Sequence, residues 1–118
     1  MCSSDLEHEM KESTVLAECM RVLAGRSDLR AWRQSTGVAR ALANEQVISY
    51  GLPGCADISG IYKDGRRLEI EVKTFRVGSK LSPQQRAFRA MIESYGGIYI
   101  VARSADELRD ALDLLSTP

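Results

Sequence analysis

The chain has 118 residues, with 16 basic and 16 acidic side chains, one histidine and three cysteines. That length suits one domain with a single core, and no apolar run approaches the roughly 20 residues of a membrane-spanning helix. Cys2, Cys19 and Cys55 are an odd number without Cys-x-x-Cys spacing, which argues against a disulfide framework or a structural zinc site and for a reducing cytoplasm.

Ser4-Asp5-Leu6-Glu7 has the form of a capping box, with Met10 and Ser13 as later candidate starts for the first helix. From Glu12 onward Val15, Leu16, Cys19, Val22 and Leu23 recur at helical spacing, and Gly25 supplies a stop. Glu12 lies on that apolar stripe and Glu18 falls off it. A carboxylate on a buried helix face needs a reason, either a metal site or solvation at a fraying first turn. Asp28 to Ser35 reads as the first strand, with Trp32 as core or edge packing. Arg33 and Gln34 lead into a loop suited to touching a phosphate backbone. Residues 37–45, with Arg40, are either a short helix or an irregular loop. Gln46 to Tyr50 resumes β character, and Gly51-Leu52-Pro53-Gly54 turns the chain towards Asp57.

Gly54 to Lys73 organises the rest. Asp64-Gly65 between two β-prone runs is a strong hairpin signal. The hairpin brings Asp57, near the start of one strand, to the region of Glu71 and Lys73 at the end of the other. Side chains alternate along a strand, so Glu69, Glu71 and Lys73 share one face while Leu68, Ile70 and Val72 point into the core. Two carboxylates and a lysine meet at one end of the hairpin. Carboxylates converging with backbone carbonyls make an all-oxygen site suited to Mg²⁺ or Mn²⁺. The bland alternative is a charged face on a half-solvated strand, with Asp57 an ordinary turn residue. Cys55 stands two residues before Asp57, but with only His8 in the chain a Cys–His nucleophile pair is not expected.

Thr74 to Lys80 is a glycine-containing loop with two bases, Arg76 and Lys80. Ser82-Pro83-Gln84-Gln85 opens a helix, with Ser82 as N-cap, Pro83 in the first turn and Gln85 in capping-box position. Ala87, Phe88, Met91 and Ile92 form its apolar face, and Gly96-Gly97 ends it. Ile98 to Ala102 reads as a central strand buried on both faces. Ser104-Ala105-Asp106-Glu107 caps a last helix with Leu108, Ala111, Leu112 and Leu115 inward. The order α-β-β-β-α-β-α implies an α/β domain with a mixed sheet flanked by helices. The crossover helix makes the Glu71 and Ile98 strands parallel.

The neutral total hides an uneven distribution. Acidic residues crowd both ends, and the stretch from Arg21 to Arg89 is basic, which offers a polyanion a local positive surface. Arg33, Gln34, Arg40, Arg76 and Lys80 are the candidate nucleic-acid contacts. Read from the residues, a candidate carboxylate metal site beside a locally basic surface leaves a metal-dependent phosphodiesterase as one expectation. The alternatives are a non-catalytic nucleic-acid-binding module and a protein-interaction domain whose hairpin charges are solvated surface.

At Gly54-Cys55-Ala56-Asp57, Glu71-Val72-Lys73, Ser82-Pro83-Gln84-Gln85 and Gly96 to Val101 the chain resembles the virus-type replication–repair nuclease (VRR-NUC) domain of the PD-(D/E)XK nuclease superfamily. The superfamily's usual Pro before the Asp is Ala56 here. The resemblance spans nearly the whole chain and implies one stand-alone domain over residues 1–118, with a restriction-endonuclease-like αβββαβ core, in a bacterial or phage-infected cell. It implies that Asp57, Glu71 and the Val72 carbonyl hold Mg²⁺ or Mn²⁺, with Glu12 completing the site. It also implies that Lys73 either serves the attacking water or neutralises the developing charge, and that Gln85 faces the metal. A two-fold homodimer acting on branched DNA such as a four-way junction follows from the same likeness. Trp32, Phe75 and Tyr95, more apolar surface than one small core needs, fit that expectation.

Overall fold

A computed structural model describes residues 11–34, 37–40, 47–50 and 53–117. Helix α1 (Glu12–Ala24) leads into strand β1 (Leu29–Arg33), and a separate hairpin of β2 (Gly37–Arg40) and β3 (Val47–Tyr50) follows. Then come β4 (Ile58–Tyr62), β5 (Arg67–Val72), α2 (Pro83–Ser94), β6 (Ile98–Ala102) and α3 (Ala105–Leu115). The main sheet has four strands in the order β1-β4-β5-β6. Its first two pairings are antiparallel, and β5 runs parallel to β6 across the α2 crossover, as a strand–helix–strand connection requires. The fold is therefore a mixed α/β sheet with helices on both faces, and the expected αβββαβ core order is present.

Local chemistry explains most element boundaries. The β4–β5 turn closes on the Gly65 amide donating to the Tyr62 carbonyl at 2.9 Å, with Gly65 in the left-handed region at φ 95°. Ser82 and Gln85 complete the reciprocal capping box at the start of α2, with Pro83 in its first turn. The same helix ends in a Schellman arrangement. Gly96, at φ 84°, donates to Glu93, and Gly97 donates to Ile92. Gly25 does end α1, but at φ −87°, so its freedom to go left-handed is not used there. The capping box foreseen at Ser4–Glu7 lies outside the described residues.

Two layers of side chains sandwich the sheet. Val15, Cys19 and Leu23 of α1 and Leu108 and Leu112 of α3 pack on Ile58, Leu68, Ile70, Val72, Ile100 and Ala102. Phe88 and Ile92 of α2 pack on Ala56 and Tyr99 from the other side.

Several expectations need correcting. Residues 37–40 form a strand, neither a short helix nor an irregular loop, and β3 pairs with it rather than with the main sheet. Among the described strands β6 is an edge, not the centre, although both its faces are covered. Ala87 and Met91 are exposed, so the buried line of α2 is the single i, i+4 pair Phe88 and Ile92. Trp32 stays 48% exposed on edge strand β1. Its register partner Ser59 lies on the α2 face, and α2 covers the β6 side of that face instead. No helix among the described residues is long and apolar enough to cross a membrane.

Candidate metal centre

One end of the sheet gathers the start of β4, the end of β5, the end of β1 and the first turns of α1 and α2. Asp57 sits just before β4 and Glu71 near the end of β5. Glu12 is the first residue of α1. Carboxylate oxygens of Glu12, Asp57 and Glu71 all lie within 4.8 Å of one another. The three come from distant stretches of the chain, so the fold, not local charge density, brings them together.

Each is held differently. Asp57 Oδ2 accepts the Val72 amide proton at 2.8 Å, and the Asp57 carbonyl accepts from the Gln34 amide at 2.8 Å. These two backbone contacts pin the carboxylate between β1 and β5. Glu71 is 2% exposed. Its Oε2 accepts from Gln85 Nε2 at 3.0 Å and faces Lys73 Nζ at 3.7 Å. Its Oε1 is buried with no donor to it among the described residues, and a hydrogen bond between Glu71 and Asp57 needs a proton on one of the two carboxyls. A buried carboxylate oxygen without a partner is costly and marks an unfilled bonding position. Burial foremost, and then the Asp57 charge, push the Glu71 carboxyl up to about 8, against the opposing pull of Lys73.

Glu12 corrects one expectation. It was placed on the buried stripe of α1, yet it is exposed and still reaches the cluster. Position in the first turn, not burial, aims it at the site. Glu18 is half-buried and outside the group. Gln85 satisfies both roles foreseen for it, with different atoms: Oε1 accepts the Ser82 amide at 2.8 Å as a cap while Nε2 donates to Glu71. Gly54 makes this possible. At φ 79° it lies so close to α2 that an added Cβ would stand 2.3 Å from the Gln84 carbonyl oxygen. Only glycine lets the loop before Asp57 touch the first turn that carries Gln85.

The foreseen nucleic-acid contacts separate into groups. Arg33 and Gln34 end β1 beside Asp57, with Arg33 in register with Ile58. Arg76 and Lys80 are exposed on the loop after Lys73. Arg103 fastens that loop by donating from Nη1 to the Thr74 and Ser79 carbonyls. Arg40 lies on the backbone of β2, and its side chain is outside the described part. Burial, then the Glu69 charge, raises the Cys55 thiol above its ordinary value, which disfavours the thiolate that a nucleophile needs. His8 and Cys2 lie outside the described residues.

Sequence reasoning missed one feature. Glu69, given no role beyond sharing a face with Glu71 and Lys73, is fully buried and bonded to Ser59 and Arg67. Register alone gives its neighbours, since strict alternation puts Glu69 on the Glu71 face and hairpin pairing sets Ser59 opposite it, but whether that face is covered is set by tertiary packing.

The three carboxylates, with an uncommitted oxygen on Glu71, form an all-oxygen donor set that fits a hard divalent cation such as Mg²⁺ or Mn²⁺. No family model and no curated protein matches the chain.

Proposed function

We propose that the protein is a divalent-metal-dependent nuclease that hydrolyses phosphodiester bonds in DNA, as its resemblance to VRR-NUC domains implies. One observation carries the reading: three carboxylates from separate elements converge within 4.8 Å, and Glu71, the most buried of them, keeps an unpartnered oxygen. A structural carboxylate would have both oxygens satisfied, as Glu69 has.

Asp57, Glu71 and Glu12 would hold Mg²⁺ or Mn²⁺. When bound, such an ion acidifies a water molecule and neutralises phosphoryl charge. The chain's own groups do the remaining work. The Val72 amide fixes the orientation of Asp57, and Gln85 fixes that of Glu71. Lys73, 86% covered and 3.7 Å from Glu71, holds a positive charge at the edge of the site. There it steadies an attacking water or offsets charge growing on the phosphate. Arg33, Arg76 and Lys80 supply backbone contacts that carry affinity without sequence preference.

A two-fold homodimer extends the proposal. Trp32 and Phe75 are 48% and 50% exposed, apolar surface that a second copy would cover. Paired sites would nick opposing strands of a four-way junction. The test is incubation of purified protein with labelled junction, flap and linear DNAs, and matched RNA, under Mn²⁺, Mg²⁺ or EDTA, beside light scattering. Cleavage of DNA that EDTA abolishes is the expected result. Binding without hydrolysis under either metal would leave a non-catalytic binding module.

A further inference from the structure

Going back along β5 from Glu71, the next residues on the same face are Glu69 and Arg67. A strand rise of about 3.3 Å per residue puts Arg67 roughly 13 Å from Glu71. Glu69 is 0% exposed and both its oxygens are engaged, Oε1 by the Ser59 hydroxyl at 3.1 Å and Oε2 by Arg67 Nε at 2.8 Å. A fully buried carboxylate persists only where it is paired and hydrogen-bonded. Here its pairing fixes one guanidinium in place. The Arg67 side chain is otherwise 55% exposed, with Nε committed and its far end turned outward.

Arg67 borders a groove of about 680 Å³ with Gln34, Cys55, Phe88, Met91 and Tyr95. Phe88 is its buried floor, and Met91 and Tyr95 are exposed walls, the latter 86% open to solvent. Two of the groove's residues tie it to the chain around Asp57. Cys55 lies two residues before Asp57, and the Gln34 amide is bonded to the Asp57 carbonyl. An aromatic and thioether wall beside one anchored cation suits a nucleobase stacked next to its own phosphate. A base paired within a duplex cannot enter such a groove; an unpaired one can.

We infer that this groove is a subsite for an unpaired nucleotide of the strand crossing the acidic cluster, with Arg67 on its phosphate and Tyr95 and Met91 against its base. Glu69 is a positioning residue acting through Arg67. The inference rests on the nuclease reading above, and it makes distorted or branched nucleic acid the substrate class.

The test is a binding titration at low salt in EDTA, where no strand is cut, of a duplex carrying one unpaired 2-aminopurine against the same duplex fully paired. The unpaired duplex should bind at least tenfold more tightly, with a change in probe fluorescence. Arg67→Ala and Tyr95→Ala should each remove the preference. Arg67→Lys should lose most of it, because an ammonium cannot offer Glu69 and a phosphate the two ends of one planar fork. Equal affinities, no binding of either duplex, or an unchanged preference in Arg67→Ala would overturn the subsite. A protein that prefers the unpaired base but cuts nothing with Mn²⁺ refutes the nuclease and keeps the subsite. One that cuts without the preference does the reverse.

Discussion

The two faces of the sheet solve different problems. On the α1 and α3 side the buried layer is aliphatic, apart from Cys19 and Tyr62, and needs no polar partner beyond the Tyr62 hydroxyl contact with Ser116. On the α2 side Ser59, Glu69 and Glu71 are buried among Ala56, Phe88 and Tyr99. The first face supplies the driving force for folding; the second spends some of it on holding charges out of water. Within that second face the two glutamates differ again. Glu69 has a partner on each oxygen, whereas Glu71 has one oxygen left over. Burial alone therefore does not mark the site. An unpartnered carboxylate oxygen within a cluster of carboxylates does, whereas the Tyr99 hydroxyl, also buried without a partner among the described residues, lies outside that cluster.

The largest expected effect separates the faces by activity. Lys73→Ala and Asp57→Asn should each cut DNA cleavage by roughly a thousandfold or more, about 4 kcal/mol in transition-state terms. DNA affinity in Lys73→Ala should stay within a few-fold, because one lysine is a small share of a phosphate footprint. Single-turnover rates beside binding isotherms measure both. Wild-type rates in Lys73→Ala with the same metal would sink the proposed site.

The next effect belongs to the aliphatic face. Leu108→Ala empties a fully buried position beneath the sheet and should cost about 2–5 kcal/mol of stability. The fraction that remains folded should keep its specific activity. Denaturant midpoints with activity per folded molecule check this, and a loss of activity beyond the loss of fold would mean that the two faces are not independent.

How far this contrast could be read in advance follows from its parts. Helix α1, the hairpin turn at Asp64-Gly65 and the α2 cap were legible because periodicity, turn chemistry and capping are local. Asp57, Glu71 and Lys73 were legible because one hairpin register links them. The exposure of Glu12 and the burial of Glu69 were not. Both depend on which elements cover which face, a tertiary fact that strand alternation does not carry. The β2–β3 hairpin was half visible, since Gly37-Val38-Ala39-Arg40 is short, small and without clear alternation.

Metal, and pH between about 4.5 and 8, should act chiefly through Glu71 on the α2 face. The folded Glu71 carboxyl titrates near 8 and its unfolded counterpart near the ordinary 4.5. Between those values the folded chain keeps a proton that the unfolded chain releases. The contribution of Glu71 to metal-free stability is therefore greatest below about 4.5, falls as pH rises through the window, and levels off above 8. Cation binding needs the carboxylate, so stabilisation by Mn²⁺ should grow with pH over the same window. At 100 times its dissociation constant the ion adds about 2.7 kcal/mol. Melts at pH 5 and pH 8, with and without Mn²⁺, reveal both slopes. Glu71→Gln should flatten them, whereas Leu108→Ala should shift every curve down in parallel. An unaltered metal-free slope in Glu71→Gln would place the pH dependence elsewhere.

The smallest effect probes the residue that joins the site to its scaffold. Gln85 caps α2 through Oε1 and orients Glu71 through Nε2. Ser82→Ala removes a capping oxygen and nothing at the site, so it should cost about 1 kcal/mol of stability and leave Mn²⁺ affinity unchanged. Gln85→Ala should cost a similar amount and also weaken Mn²⁺ binding, because Glu71 Oε2 then loses a donor. Gln85→Glu distinguishes the two roles. Its carboxylate can still accept the Ser82 amide, and a negative charge in the first turn suits the helix dipole, so the cap should survive. The same charge faces Glu71 where an N–H had donated, which drives the Glu71 carboxyl further up. Gln85→Glu should therefore melt near wild type while binding Mn²⁺ more weakly at pH 7 and recovering part of the difference at higher pH. If Ser82→Ala and Gln85→Glu both change Mn²⁺ affinity equally, Gln85 acts on the site only by holding the helix, and its amide bond to Glu71 is incidental.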